Sequence, residues 1–216
     1  IARRRGLPLV FTHHTPYERC THYVPGDSPA LKRFTIELAT RYANLADQVF
    51  APSESIRDLL QQRGVVTPIT VVPTGVRLEH FAHGDGPAFR RQMGIPENAF
   101  VVGHLGRLAP EKNLEFLAQA VADFVGSRPH AHFLVIGSGP SETAMRDVFA
   151  RAGLEARLHV AGILQRQALA DALHAMDLFA FASTSETQGM VLTEAMAAGL
   201  PVVALESTLI CHGLPR

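Results

Sequence analysis

Residues 181–205 have the sequence FASTSETQGMVLTEAMAAGLPVVAL, which predicts a strand, a polar loop, a short helix, a glycine stop and a second strand. Glu186 and Glu194 flank the turn into the helix with seven residues between them, and Gly189 lies at that turn. Three main-chain amides begin the helix, those of Met190, Val191 and Leu192. Free amides at a helix N-terminus attract phosphate, and nearby carboxylates can hold sugar hydroxyls, so the pattern points to a nucleotide-sugar pocket. The spacing equally allows Glu194 to be a solvated helix residue and Glu186 an ordinary loop carboxylate.

The composition restricts the class of protein. The chain has 216 residues, enough for one large domain or parts of two, and 47% of them are hydrophobic. No apolar run approaches the roughly 20 residues that a membrane span requires. Twenty basic and twenty acidic side chains cancel, so nothing marks a nucleic-acid surface. Two separated cysteines, Cys20 and Cys211, argue against a disulfide framework or a thiolate zinc site and fit a reducing cytoplasm.

The first predicted strand, residues 7–12, is followed by His13 and His14, and Pro16 enforces a turn. Ligands of open α/β sheets lie beyond the carboxyl ends of the strands, which favours a functional role here. Either histidine can instead simply cap the loop. The helix predicted next has apolar positions at Leu31, Phe34, Leu38 and Leu45. Its basic side chains form either a solvated surface or an acceptor- or membrane-facing one.

The chain divides into regions of different pattern. Residues 1–76 form the first region, and the pattern weakens over residues 77–98, which glycines and prolines interrupt. We therefore predict residues 77–98 as an interdomain linker. From residue 99 to 205, strands and helices alternate, which predicts right-handed crossovers and a parallel sheet covered on both faces. Residues 206–216 form an atypical tail.

Three loops follow strands of the second region and should meet at one edge of its sheet. In the first, GRLAPEK at residues 106–112, Gly106 lets the backbone approach a ligand, while Arg107 and Lys112 supply two cations. Two cations can neutralise a diphosphate, which carries about two negative charges, without a metal ion. Alternatively, both pair with surface acids such as Glu111.

The second loop contains Gly137 and Gly139 and resembles half of a dinucleotide-binding fingerprint. Glu142 stands in place of the third glycine, which argues against a nicotinamide site and favours a nucleobase edge packed on this loop. In the third loop, residues 161–164, main-chain groups around Ile163 can hydrogen-bond a base.

Taken together and in order, these segments resemble one family. The segments are FTHHT at 11–15, VVPTGV at 71–76, GRLAPEKN at 106–113, IGSGP at 136–140 and SETQGMVLTEAMAAGLPVVA at 185–204. The combination is similar to the retaining glycosyltransferases of family 4, whose E-x7-E pattern Glu186 and Glu194 match. The resemblance covers about residues 1–205 and implies an α/β protein of GT-B type, with two Rossmann-like domains and parallel sheets, both incomplete in this chain. The stretch THHTPYERCTHYVP at 12–25 also resembles the bacterial glycolipid branch that glucosylates diacylglycerol.

The resemblance implies a role for each candidate residue. Arg107 and Lys112 match the basic pair that binds the diphosphate and stabilises its charge as it leaves. Glu194 matches the carboxylate that holds the ribose hydroxyls, Glu186 the one that contacts and orients the donor sugar. His14 matches the histidine that approaches the reacting centre. The amides of Met190, Val191 and Leu192 match those that meet the donor phosphate and sugar. The predicted substrate-binding positions are Gly106, Gly137, Gly139, Ile163, Gly189, Met190, Val191, Leu192 and Glu194.

The family implies transfer of a hexose, with retention, from a uridine diphosphate sugar to an acceptor such as a membrane glycolipid. No cofactor, bound metal or nucleic acid is expected, and the nucleotide sugar serves as co-substrate. The expected location is the cytoplasm, at the inner face of the plasma membrane for a lipid acceptor; oligomeric state is not indicated. Two alternatives stay open, namely an inactive nucleotide-sugar-binding fragment and a nucleotide-sugar epimerase of the same fold.

Departures from the family pattern lie at both ends. The strands and glycine-rich loop that precede FTHHT in the family, and the helices that close its second domain, are missing. We therefore expect a truncated chain in which residues 1–76 are the later part of the acceptor-side domain. Residues 205–216, LESTLICHGLPR, resemble the opening of pseudouridine-5′-phosphate glycosidases, and we expect a foreign tail without that activity.

Overall fold

The computed structural model describes residues 5–15, 17–19, 21, 28–184 and 186–204. Their contacts divide the chain into two units. The first contains the described residues up to Gly75 together with residues 186–188, and the second contains Val76–Thr184 with residues 189–204. Both cysteines and the atypical tail lie outside the described residues, as do the predictions made for them. The domain boundaries given above stay predictions.

The first unit is built on a three-stranded parallel sheet. Its strands are β1 (Val10–Thr12), β2 (Gln48–Ala51) and β3 (Ile69–Val71), in the order β1-β2-β3. Its helices are α1 (Pro29–Ala43) and α2 (Glu54–Gln62). Each helix begins at a serine whose hydroxyl accepts a hydrogen bond from a first-turn amide, Ser28 from Leu31 and Ser53 from Ile56.

A small core holds this unit together. Its buried members are Ala43, Ala46, Val49, Ala51, Ile56, Leu60 and Val65. Helix α1 contributes only Ala43 to the buried set. The apolar positions Phe34, Leu38 and Leu45 are 60%, 57% and 49% exposed. The predicted apolar face of this helix therefore contributes little to the part of the core that the structure describes.

The second unit is a five-stranded, wholly parallel sheet, as predicted. Its strands are β4 (Phe100–Leu105), β5 (Ala131–Ile136), β6 (Leu158–Gly162), β7 (Leu178–Phe181) and β8 (Val202–Ala204), in the order β6-β5-β4-β7-β8. Its helices are α3 (Gly86–Met93), α4 (Leu114–Gly126), α5 (Glu142–Arg151), α6 (Gln167–His174) and α7 (Met190–Ala197). The chain builds outward from β4 to β6 and then continues on the other side of β4 at β7. Open α/β sheets bind ligands at such a reversal, outside the carboxyl ends of the strands.

The core of this unit surrounds β5, which is buried along its whole length. Both faces of a parallel sheet are covered, so its central strands are mostly apolar. Phe133 of β5 stacks on Phe149 of α5 with ring centroids 5.7 Å apart, and both side chains are fully buried. Burial of each such ring stabilises the fold by about 2–3 kcal/mol. This packing holds α5 against β5.

Residues 77–98, predicted as a linker, carry α3 and pack within the second unit, where α3 contacts α6. Arg90 of α3 donates from Nη2 to the Asp177 carboxylate at 2.9 Å and from Nε to the Ala175 carbonyl at 2.8 Å. The Arg90 side chain is only 13% exposed, so solvent screens this ion pair less than a surface pair. These partners lie more than eighty positions later in the chain, beyond the reach of a local pattern.

Candidate functional site

The carboxyl ends of β4, β5 and β6 border a cavity of about 380 Å³, a volume within the range of small-molecule sites. Its lining residues are Leu105, Gly106, Arg107, Ile136, Gly137, Ser138, Ile163 and Leu164. Four of the predicted site residues thus meet here, Gly106, Arg107, Gly137 and Ile163. The three loops lie at one edge of the sheet because all its strands are parallel. The binding roles of these residues stay predictions.

Gly137 and Gly139 allow the second loop to lie directly against the first. A Cβ at Gly137 would be 1.9 Å from the Gly106 carbonyl oxygen, and one at Gly139 would be 2.3 Å from that of Leu108. Gly137 also has a φ of 134°, which favours glycine. Hydrogen bonds join the loops, such as that from the Leu108 amide to the Ser138 carbonyl at 3.0 Å. The two glycines therefore have a structural reason for their positions that sequence analysis did not foresee, and Gly139 is not among the lining residues of the cavity.

The two predicted cations have different surroundings. Arg107 donates from Nη2 to the carboxylate of Glu111, so the pairing with Glu111 that the sequence left open is present for Arg107. Its side chain remains 55% exposed and lines the cavity. Lys112 is half-buried and ends a short 3-10 turn, and its charge contributes to lowering the pKa of His104 in β4. Both positive charges therefore lie at the carboxyl end of β4.

His104 is a site neighbour that sequence analysis missed. Its ring is fully buried, stacks beside Phe179 and Phe181, and has Nδ1 3.2 Å from the Ala180 carbonyl, to which the ring N–H donates. Burial lowers the pKa of His104 to about 4, so the ring is neutral at pH 7. Its Nε2 has no hydrogen-bond partner in the described part of the chain. The available signal was a histidine inside an otherwise apolar predicted strand.

Gly189 forms the turn into α7 with a left-handed φ of 69°. The Met190 and Val191 amides lie in the first turn of this helix, where amides have no intrahelical acceptor. The Leu192 amide instead donates to the Gly189 carbonyl at 3.0 Å. The prediction that Leu192 supplies a free donor is therefore wrong, because the first turn closes with a tight 3-10 type bond.

Glu194 lies on α7, one turn after Met190, and is half-buried. Burial raises the pKa of its carboxyl above the ordinary value. The structure thus places Glu194 partly out of solvent, whereas the spacing alone also allowed a solvated helix residue. A partly desolvated carboxylate gains from hydrogen bonds that a ligand hydroxyl can donate.

The two histidines after β1 have different environments. His13 is buried beside Phe11 and Tyr17, and its amide donates to the Phe50 carbonyl at 2.9 Å. Burial also lowers the pKa of His13. His14 is exposed. His13 is therefore the structural histidine, and His14 is the one that a ligand can reach.

The loop residues 186–188 belong by their contacts to the first unit, in which His14 also lies. Thr187 donates from Oγ1 to the His14 carbonyl at 3.0 Å, and its own carbonyl accepts from the Ser53 hydroxyl at 3.1 Å. Glu186, which is half-buried, precedes this connection. The first unit thus contains both Glu186, which the resemblance assigns to the donor sugar, and His14, which it assigns to the reacting centre.

Two negative findings concern the described residues alone. They contain no group of three or more His, Cys, Asp or Glu side chains placed to hold a metal ion. None of their helices is both long enough and apolar enough to cross a membrane. The metal-independent reaction stays a prediction from the resemblance.

Two family models match the chain. The model described as glycosyl transferases group 1 matches residues 85–212, more than half of the chain, and the model described as glycosyltransferase family 4 matches residues 1–80. The chain belongs to the glycosyl transferases group 1 family. The family resemblance given by the sequence motifs is thereby confirmed.

Relatives and a solved structure agree with this family. The alpha-monoglucosyldiacylglycerol synthase of Streptococcus pneumoniae is 30% identical over 220 residues, which cover 100% of this chain and 48% of the relative. The D-inositol 3-phosphate glycosyltransferase of Actinosynnema mirum is 34% identical over 218 residues, with 94% and 52% covered. Anabaena HepE, solved in complex with UDP and glucose, has a TM-score of 0.77 at 28% identity, with 94% of this chain and 54% of HepE covered. The predicted GT-B fold class and the similarity to glycolipid synthases are confirmed, and the chain spans about half the length of these relatives.

Proposed function

We propose that this chain contributes the nucleotide-sugar site of a retaining glycosyltransferase that moves a hexose from a UDP-sugar to a lipid acceptor. The observation that carries the proposal is the cavity at the carboxyl ends of β4, β5 and β6, with the exposed Arg107 in its lining. A nucleobase needs a concave, largely apolar site, and a diphosphate needs cations beside it. The HepE complex with UDP and glucose supports the donor class, and the Streptococcus pneumoniae relative supports the lipid acceptor.

In this proposal the donor lies across the carboxyl edge of the second sheet. The base packs on the loops of Gly137 and Ile163, and the diphosphate is bound by Arg107 and Lys112. The Glu194 carboxylate, whose pKa burial raises, accepts hydrogen bonds from the ribose hydroxyls. The first-turn amides of α7 supply further donors to the phosphate.

The proposed reaction breaks the bond between the anomeric carbon and the diphosphate oxygen and forms a bond from that carbon to the acceptor oxygen on the same face. The departing phosphate oxygen takes the acceptor proton. Arg107 and Lys112 stabilise the charge that develops on the diphosphate. Glu186 orients the sugar, and His14 approaches the reacting centre. Neither Glu186 nor Glu194 needs to act as a nucleophile. In retaining glycosidases, by contrast, one carboxylate of the pair attacks the sugar and the other protonates the leaving group.

The proposed partners are a UDP-sugar and a membrane glycolipid or its diacylglycerol precursor. No cofactor, metal or nucleic acid takes part in the proposed reaction. A lipid acceptor would place the protein at the cytoplasmic face of the membrane. Because the chain spans about half of its relatives, donor binding without turnover is the second candidate function.

The test combines binding with product analysis. The whole chain is titrated calorimetrically with UDP and with GDP, and is then incubated with labelled UDP-glucose and vesicles that contain diacylglycerol. We expect UDP to bind more tightly than GDP and label to enter the lipid with the donor's anomeric configuration. Binding without transfer supports the second candidate function, and an altered free nucleotide sugar would indicate an epimerase. Absence of UDP binding would refute donor-site function altogether.

A further inference from the structure

Glu111 contacts the loops that follow both β4 and β7. Its carboxylate accepts a hydrogen bond from Nη2 of Arg107, four residues earlier. Its main-chain carbonyl accepts from the Thr184 amide and the Thr184 hydroxyl, each at 3.2 Å, and from the Ser183 hydroxyl at 3.4 Å. One residue thus connects the candidate diphosphate loop to the loop that leads into residues 186–189.

The two members of the Arg107–Glu111 pair differ in burial. The Glu111 side chain is 15% exposed, whereas that of Arg107 is 55% exposed. Glu111 is also fixed through its backbone, while an exposed arginine has several rotatable bonds and loses conformational entropy when a ligand immobilises it. The carboxylate is therefore the fixed partner, and it restricts the guanidinium before any ligand arrives.

Pairing with Glu111 leaves the arginine chemically able to bind an anion. A guanidinium has five N–H donors in a planar fork, so one edge can serve a carboxylate while another serves a phosphate oxygen. Nη2 of Arg107 is a donor to the Glu111 carboxylate. An arginine held in this way meets a diphosphate at a lower entropic cost, because part of its ordering is already present.

We propose that Glu111 is a positioning residue that orients Arg107 toward the donor diphosphate. The inference rests on the proposed function of the site. A competing effect has the opposite sign, since a carboxylate near a diphosphate repels it. Removal of Glu111 therefore weakens binding if positioning dominates and strengthens binding if repulsion dominates. The sign of the change decides between the two.

The experiment measures UDP affinity of the whole chain by calorimetry for wild type, Glu111→Ala, Glu111→Gln, Arg107→Ala and the double variant Arg107→Ala/Glu111→Ala. We expect Glu111→Ala to weaken UDP binding by about 2- to 10-fold, the range for losing one pre-ordered side chain. Glu111→Gln keeps an acceptor oxygen and should stay within about 3-fold of wild type. In the Arg107→Ala background, Glu111→Ala should have no further effect, because Glu111 acts through Arg107.

The matched control is Glu37→Ala, which breaks the Glu37–Arg41 pair of α1, also four residues apart and 2.6 Å long. It should leave UDP affinity unchanged. Thermal unfolding of every variant identifies any loss of folded protein, and Glu111→Gln supplies the comparison if Glu111→Ala does not fold.

Three results would overturn the inference while leaving donor binding intact. The first two are an unchanged and an increased UDP affinity in Glu111→Ala. The third is a loss of UDP affinity on Glu111→Ala that is equally large in wild type and in the Arg107→Ala background. Tighter binding would show that Glu111 competes with the ligand. If wild type itself fails to bind UDP, the proposed function is refuted, and the role of Glu111 is refuted with it.

Discussion

Replacement of Gly137 by alanine tests the loop packing on which the candidate site depends. The new Cβ would lie 1.9 Å from the Gly106 carbonyl oxygen, so one of the loops must move by more than 1 Å to reach the 3.0 Å below which real contacts essentially never fall. Displacement of well-packed backbone costs about 1–3 kcal/mol. The positive φ of 134° adds about 1–2 kcal/mol for a residue with a Cβ. We therefore expect Gly137→Ala to lower the free energy of unfolding by about 2–5 kcal/mol.

Gly153→Ala is the matched control, because Gly153 also has a positive φ, 67°, but a Cβ there meets nothing within 4 Å. It should cost only the backbone term, about 1–2 kcal/mol. Urea unfolding at pH 7 gives both values, provided that the slopes against denaturant agree with wild type. If Gly137→Ala loses no more stability than Gly153→Ala, the close approach of the two loops does not constrain the fold.

Three further predictions concern single residues. The pKa of His104 is lowered from 6.5 to about 4, so the unfolded chain binds a proton that the folded protein does not between these pH values, and the free energy of unfolding should fall by roughly 3 kcal/mol as the pH falls from 6.5 to 4. His104→Phe should flatten that part of the curve of unfolding free energy against pH, measured by urea unfolding. An unchanged curve would contradict the assignment of this pKa to His104. Glu194→Ala should weaken UDP binding by about 1–3 kcal/mol in calorimetry if the carboxylate holds the ribose, and equal affinity would remove that role. Phe133→Ala should lower the free energy of unfolding by about 3–5 kcal/mol, because the ring is fully buried against Phe149; a loss below 1 kcal/mol in denaturant unfolding would contradict its place in the core.

The regular strands of this fold could be predicted from sequence because their apolar runs are short and bounded by loops. The predicted order of strands and helices after residue 99 matches β4 to β8, and the parallel sheet follows from that order. The strand predicted over residues 7–12 is shorter in the structure, Val10–Thr12. The apolar run does not show where β1 begins to pair with β2, because the pairing depends on residues nearly forty positions later in the chain.

The candidate site was partly predictable because glycines and cations mark the ends of parallel strands. Gly106, Arg107, Gly137 and Ile163 could be expected to lie near one another from topology alone, and they do. The bond that removes the Leu192 amide from the free donors depends on how tightly one helix turn closes, which sequence does not reveal.

Two other features depend on contacts that no local pattern contains. The close approach of Gly137 to the Gly106 backbone involves two loops about thirty residues apart. The buried His104 pairs with the Ala180 carbonyl of a strand 76 positions later. The contacts of Glu111 could be predicted only in part. Its spacing of four residues from Arg107 is visible in the sequence, whereas the hydrogen bonds from Thr184 to its backbone carbonyl are not.

The most direct test of the central claim is the UDP affinity of Arg107→Ala measured by calorimetry beside Arg91→Ala. Arg91 is 60% exposed and pairs with Glu97, so it is a matched arginine of the second unit outside the cavity lining. Loss of a charged hydrogen bond to the diphosphate should weaken UDP binding by about 10-fold or more in Arg107→Ala and leave Arg91→Ala at the wild-type value. Equal UDP affinities in the two variants would contradict the claim that this sheet edge binds the diphosphate of an activated sugar.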